Sequence, residues 1–310
     1  MILSVAMCTF NGEKYIAEQL ESILSQQFPV DEIIICDDGS TDKTVEIIED
    51  FQKSNPFIKL YRNPENLGVI KNFEKAINLC QEGIVLLCDQ DDIWFKNNTK
   101  KIKNYFETNL DKKAVFHNLE LFNEKPLSAT IWDYVAFNAQ NHSKNLLNHL
   151  LTIENLATGA SFAFKKNKSI NLDEIPEIAL HDYQLALIFA MTNELGLIDE
   201  TLGYYRIHDA QQIGAEDTAN GYIKKLTNLF YSSGHHLEKV DYLIKKQEMW
   251  AEYQFQFVKK EQILAVFEKL RSEFLKQHLH QFNFFHKKAI LLYWLFKKKY
   301  NVNLNNVLWV

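Results

Sequence analysis

Ile84-Val85-Leu86-Leu87-Cys88-Asp89-Gln90-Asp91-Asp92 is the stretch on which the reading of this chain turns. An unbroken apolar run fits a strand covered on both faces, as in a parallel sheet under helices. Three carboxylates at the mouth of such a strand are costly unless a cation sits among them. Mg2+ or Mn2+ holding a nucleotide diphosphate meets that need, because these ions take carboxylate and phosphate oxygens rather than a full protein cage. A solvated acidic turn or a helix N-cap is the plainer alternative, and the surrounding sequence has to decide.

Working outward, short apolar runs recur at 2–7, 32–36, 58–61, 84–88 and 114–116. Helical periodicity lies between them. Ile16, Leu20, Ile23 and Leu24 share one face, Val45, Ile48 and Phe51 another, and Ile70, Phe73, Ala76, Ile77 and Cys80 a third. This β-α-β-α rhythm predicts a mostly parallel sheet flanked by helices, with ligands beyond the carboxyl ends of its strands. Polar clusters collect at those ends: Thr9-Phe10-Asn11-Gly12, Asp37-Asp38-Gly39-Ser40-Thr41-Asp42, Asn63-Pro64-Glu65-Asn66-Leu67-Gly68 and the acidic run. One shared crevice accounts for all four.

The chain has 310 residues, 46% of them hydrophobic and 24% charged, which suits an ordinary globular protein. Its net charge of -6 hides a division: residues 221–310 hold 15 Lys and Arg against 7 Asp and Glu. The strand and helix alternation, weaker after 120, predicts a first domain over 1–215. The basic, helix-patterned remainder predicts a helical extension over 216–310. Cys8, Cys36, Cys80 and Cys88 sit in or beside apolar runs without metal-ligand spacing and read as buried hydrophobes of a reducing compartment. The strand pattern begins at Ile2 and no run approaches the length of a membrane span, so the expectation is a cytoplasmic protein without a leader.

Within the second cluster, Ser40 or Thr41 is placed to cap a helix starting near Thr44, with Gly39 in a tight turn. That leaves two adjacent carboxylates, suited to a base N–H or a ribose hydroxyl. Taken together and in this order, the four clusters resemble the motifs of family 2 glycosyltransferases, over roughly residues 1–215. The resemblance implies a GT-A fold, an α/β, Rossmann-like sheet flanked by helices. It implies nucleotide-sugar binding by Thr9, Asn11, Asp37, Asp38, Asn66, Gly68 and Asp89. Asp91 would bind the Mg2+ or Mn2+ that bridges the diphosphate, with Asp92 beside it.

Sugar transfer from a nucleotide diphosphate needs charge stabilisation on the departing group and a base for the incoming hydroxyl. His181-Asp182 resembles the family's base position at a helix start, in a variant associated with its rhamnosyltransferases, which makes Asp182 the candidate base. A simple helix cap is the other reading of Asp182. Thr158-Gly159-Ala160-Ser161 resembles the acceptor-side loop, bringing in Gly159 and His181. Tyr204-Tyr205-Arg206-Ile207-His208 and the residues after it resemble a rhamnosyltransferase tail motif, with Gln212 where Asn is usual. Arg206 would then pair with diphosphate oxygens, and His208 would be a further metal ligand or a phosphate donor. Trp94 is either an aromatic platform for a sugar or a core anchor.

A single base without a protein nucleophile implies inversion at the anomeric carbon; a double displacement, which would need a second carboxylate, is the alternative, and the resemblance favours inversion. The likeness therefore predicts an inverting transferase moving L-rhamnose from dTDP-L-rhamnose to a saccharide acceptor of a bacterial surface polysaccharide. A UDP-hexose donor is the rival within the family, and a non-catalytic nucleotide- or carbohydrate-binding module is the rival outside it. The absence of G-x-G-x-x-G after the first strand argues against a nicotinamide dehydrogenase. Residues 284–299, basic at both ends and aromatic between, suit either a membrane interface, as a lipid-linked acceptor would require, or packing on the catalytic domain.

Overall fold

A computed structural model describes residues 1–208 apart from 136, 144–145, 153–154 and 169–179. The chain divides into two units, Met1–Ile223 and Lys224–Val310. The expected division at 215, the helical extension and the 284–299 segment all lie outside the described residues.

Every expected strand forms. β1 (Leu3–Thr9), β2 (Glu32–Asp37), β3 (Ile58–Arg62) and β4 (Gly83–Cys88) alternate with α1 (Ile16–Leu24), α2 (Thr44–Ser54) and α3 (Val69–Leu79). β5 (Ile93–Trp94), α4 (Asn98–Thr108), β6 (Ala114–Asn123), β7 (Lys125–Thr130), α5 (Ile131–Tyr134), α6 (Ala139–His142), α7 (Leu146–Thr152), β8 (Phe162–Lys166), α8 (His181–Met191) and β9 (Leu195–Arg206) follow. The nine described strands make one sheet in the order β3-β2-β1-β4-β8-β6-β9-β5, with β7 paired to β6. β1 pairs in parallel with β2 and β4, and β2 with β3. The chain reverses direction across the sheet between β1 and β4, which opens a crevice at their carboxyl ends. Beyond β4 the sheet is mixed, since β8 runs antiparallel to both β4 and β6 whereas β6 and β9 are parallel.

The apolar runs are continuous because both faces are covered. Leu3, Val5, Met7, Ile33, Ile35, Ile84 and Leu86 pack with Ile16, Leu20 and Ile23 of α1 and Ile48 of α2. α3 buries Phe73, Ala76 and Ile77, and each large side chain among them contributes roughly 1.5–3 kcal/mol. Trp94 is 4% exposed and belongs to the core, so the platform reading gives way to the anchor. Cys36, Cys80 and Cys88 are buried and Cys8 is half-buried; all four are free thiols.

α2 begins at Thr44 as expected, but neither Ser40 nor Thr41 caps it. The Asp42 carboxylate accepts from the Thr44 backbone N–H (3.0 Å) and its hydroxyl (2.5 Å). At the amino end of β2, the buried Glu32 carboxylate accepts four hydrogen bonds, from Ser4 Oγ, the Gln81 N–H, Gln81 Nε2 and Lys59 Nζ. Burial alone would raise the Glu32 pKa; these donors outweigh it and hold it at about 2. Among the described residues no helix is long and apolar enough to cross a membrane.

Candidate active site

The loops after β1, β2 and β3 are braced by the polar residues that the sequence offers to a nucleotide. Asp37 is buried, accepting from Thr9 Oγ1 (2.9 Å), Ser40 Oγ (2.5 Å) and the Gly39 and Ser40 N–H groups. Its oxygens and the Thr9 hydroxyl are thereby committed to each other and to the turn. Asp38 is likewise enclosed, accepting from Asn63 Nδ2 (2.7 Å) and the Leu67 and Gly68 N–H groups (2.8 and 2.9 Å). Gly68 sits at φ +78°, a conformation glycine adopts without penalty, and Asn66 Nδ2 donates to the Asp38 carbonyl. Asn11 Oδ1 accepts from the Thr41 N–H while the Asn11 N–H donates to Ser40 Oγ. Thr9, Asp37 and Asp38 therefore brace the loops at the carboxyl ends of β1 to β3, with Asp38 Oδ2 accepting from the Gly68 N–H.

Gln90, passed over in the sequence, ties the acidic run to this wall. Its Oε1 accepts from the Phe10 N–H (2.9 Å) and its Nε2 donates to the Phe10 carbonyl (3.1 Å). The gap for it exists because Gly12 carries no side chain, since a methyl there would lie 2.2 Å from Gln90 Oε1.

The three carboxylates of the run have three different environments. The Asp89 carboxylate makes no hydrogen bond among the described residues, and burial, then Asp91 and Asp182, raise its pKa to about 8. Asp91 Oδ2 lies 2.8 Å from His208 Nε2. Asp92 is 2% exposed; its Oδ1 accepts from the Arg206 N–H (3.0 Å) while Oδ2 has no partner, and burial drives its pKa far up. The pairing of β5 with β9, Ile93 opposite Tyr204, delivers 204–208 to this place.

Arg206 is more strut than clamp. Its Nε donates to the Asp91 carbonyl (2.7 Å), its Nη2 meets Glu18 (2.5 Å), and its guanidinium lies between the Tyr15 and Phe122 rings at 4.7 and 4.8 Å. Tyr15 also stands against the His208 ring at 4.6 Å, a role no pattern in the sequence announces. Burial, then Asp92, Asp89, Asp91 and Asp182, push the Tyr205 hydroxyl upward, so it keeps its proton.

Asp182 opens α8 and is 6% exposed. Oδ2 accepts from the Gly159 N–H (2.8 Å) and Oδ1 from the Tyr183 N–H (2.6 Å), leaving each oxygen a lone pair. His181 stacks on Phe73 with ring centroids 3.8 Å apart, and burial pulls its pKa down against the influence of Asp182. Asp89 and Asp182 come together at Gly159, where a methyl group would lie 3.5 Å from Asp89 Oδ2 and 3.8 Å from Asp182 Oδ2.

A divalent ion suits this donor set. Among the described residues no group of three or more His, Cys, Asp or Glu is arranged to hold a metal. The adjacent Asp91 and His208 would supply two protein ligands, and burial favours the neutral form of the nearby Asp92. Two protein ligands completed by phosphate oxygens is how Mg2+ and its kin commonly bind.

Residues 4–164 match the family model Glycosyl transferase family 2. The chain is 30% identical over 234 residues to the dTDP-rhamnosyl transferase RfbG of Shigella flexneri, covering 71% of this chain and 78% of that one. It is 31% identical over 115 residues to the putative teichuronic acid biosynthesis glycosyltransferase TuaG of Bacillus subtilis, covering 37% and 44%. Among solved structures, S. aureus TarS 1-349 in complex with UDP aligns with a TM-score of 0.53 at 19% identity, covering 90% and 72%. The fold is GT-A, as the motifs implied.

Proposed function

The chain belongs to glycosyl transferase family 2, and we propose that it transfers L-rhamnose from dTDP-L-rhamnose, with inversion, to a saccharide acceptor of a bacterial surface polysaccharide. Support for the reaction comes from the Asp89 and Asp182 carboxylates, both within 4 Å of a side chain built at Gly159, and from the Asp91–His208 pair that follows Asp89 in the same loop. Asp89 has free acceptor positions for donor hydroxyls. Asp182, oriented by the Gly159 and Tyr183 N–H groups, takes the proton of the attacking acceptor hydroxyl. Asp91 and His208 would hold Mg2+ or Mn2+, which when bound stabilises charge on the departing diphosphate. The likeness to RfbG supports the rhamnosyl donor; no single residue of the crevice does.

Thermal shift with Mn2+ and dTDP-L-rhamnose, UDP-glucose, UDP-galactose and UDP-N-acetylglucosamine tests the donor. Stabilisation by a UDP-sugar but not by dTDP-L-rhamnose refutes the rhamnosyl assignment. Single-turnover transfer to purified lipid-linked saccharides tests the chemistry. D182N should keep the donor shift and lose about 10²–10⁴-fold in rate; unchanged function in D182N would leave only a binding module.

A further inference from the structure

Tyr15 joins two parts of the site that the chain delivers separately. Its N–H donates to the Gly12 carbonyl (3.0 Å), and the Gly12 N–H donates to Thr44 Oγ1 (2.7 Å). The Tyr15 backbone is thereby tied to the loop after β1 and to the start of α2. Its half-buried ring reaches the other way, with the Arg206 guanidinium carbon 4.7 Å and the His208 ring 4.6 Å from its centroid. Glu18, three residues further along and so on the same face of the helix, meets Arg206 as well. The first turn of α1 thus grips the end of β9 and the residues just past it.

His208 needs such a grip. β9 ends at Arg206, and the Ile207 N–H donates to the Phe122 carbonyl (2.8 Å), which fixes the backbone to that point. The imidazole lies beyond it on rotatable bonds, and a nitrogen aimed at a cation must be held in direction as well as in place. Asp91 Oδ2, 2.8 Å from Nε2, sets where the ring points. The Tyr15 ring, inclined at 38° to the imidazole, limits how far it turns. Arg206 and His208 are two residues apart in an extended chain and share a side, so one aromatic ring orders both. A core anchor would have apolar neighbours, and that task falls to Ile16, Leu20 and Ile23 of the same helix. Tyr15 faces Lys14 (Nζ 4.9 Å from the centroid), Arg206 and His208 instead.

We infer that Tyr15 is a positioning residue whose ring holds the His208 imidazole, Nε2 toward Asp91, for a divalent cation. The inference rests on the metal-binding reading of Asp91 and His208 above. In this role Tyr15 touches neither cation nor sugar and acts through His208.

The test reads the Mn2+ concentration that half-saturates the thermal shift induced by dTDP, and separately by UDP, on the full chain. Urea unfolding without metal is measured alongside. Y15L removes the ring and should raise that concentration about three- to tenfold, the worth of one ring contact. Y15F keeps the ring and should stay within about twofold of wild type. In an H208A background, which leaves no imidazole to position, Y15L should change the Mn2+ requirement by less than about twofold. A wild-type Mn2+ curve in Y15L, whatever its urea stability, overturns the inference. A loss in Y15F equal to that in Y15L overturns it too, by assigning the effect to the hydroxyl. So does a full Y15L effect in H208A, which moves the effect away from His208. If Y15L does not fold, Y15M replaces it in the same comparisons. A wild-type chain whose shift with either nucleotide ignores Mn2+ overturns the metal reading itself, and this inference with it.

Discussion

Replacing Arg206 separates two jobs for one guanidinium. As a strut, it holds the Asp91 carbonyl through Nε at 2.7 Å and Glu18 through Nη2 at 2.5 Å, between two rings at 4.7 and 4.8 Å. The Glu18 side chain is 54% exposed, so that ion pair is worth at most about 1 kcal/mol. The charged hydrogen bond to a main-chain carbonyl contributes about 1.5–3 kcal/mol, and each ring contact about 0.5–1 kcal/mol. These terms share one side chain and do not simply add, so R206A should cost roughly 3–4 kcal/mol. R206K restores a charge near Glu18 but has no group at the Nε position, and should recover less than half of the loss. Urea unfolding at pH 7 reads the stability, and calorimetry with dTDP-L-rhamnose and Mn2+ reads the site. A strut predicts that affinity falls together with stability as Asp91 loosens. Stability within about 0.5 kcal/mol of wild type, alongside a large loss of donor affinity, would refute the strut and restore the phosphate clamp.

Other outcomes follow from the same geometry. Because the Glu32 pKa is depressed to about 2 in the folded chain, its stabilising effect is full above its unfolded value near 4.5 and fades as pH falls toward 2. E32Q should therefore be less stable than wild type by about 2–3 kcal/mol at pH 7, with the gap closing in unfolding curves taken at pH 4 and 3. D91N and H208A should each raise at least about tenfold the Mn2+ concentration that half-saturates the donor-induced thermal shift; identical Mn2+ curves would remove these residues from the metal site. Gly83 lies at φ +156° with space for no side chain, since a methyl would fall 2.4 Å from the Ile2 carbonyl oxygen. G83A should lower stability by about 2 kcal/mol or more in a thermal melt.

Most of the parallel part of the sheet was legible because its strands are covered on both faces and its helices carry one apolar stripe each. Ile84–Cys88 and Phe73, Ala76 and Ile77 announce β4 and α3 without any tertiary knowledge. Direction was not legible. Phe162–Phe164 reads as a strand in either sense, and only the sheet reveals that β8 runs antiparallel between β4 and β6. Ile93-Trp94 is too short to signal a strand, yet its pairing with β9 brings Arg206 and His208 to the acidic run. The candidate site was legible as residue types at strand ends, not as assignments of each oxygen. Asp37 and Asp89 look alike in sequence, but one has its acceptors filled by a turn and the other stands open. Gln90 and Tyr15 carried no signal, because a brace between loops depends on which loops meet.

That bracing bears on attempts to change what the crevice accepts. Asp37 ties Thr9 to the Gly39–Ser40 turn, Asp38 gathers Asn63 and the Leu67–Gly68 backbone, and Gln90 clasps Phe10. A segment exchanged from a homologue arrives without its counterparts and strands donors and acceptors on the segments it left unchanged. Grafts of a single connection should misassemble, whereas the four connections after β1 to β4, transplanted as one cassette, carry their mutual fastenings with them.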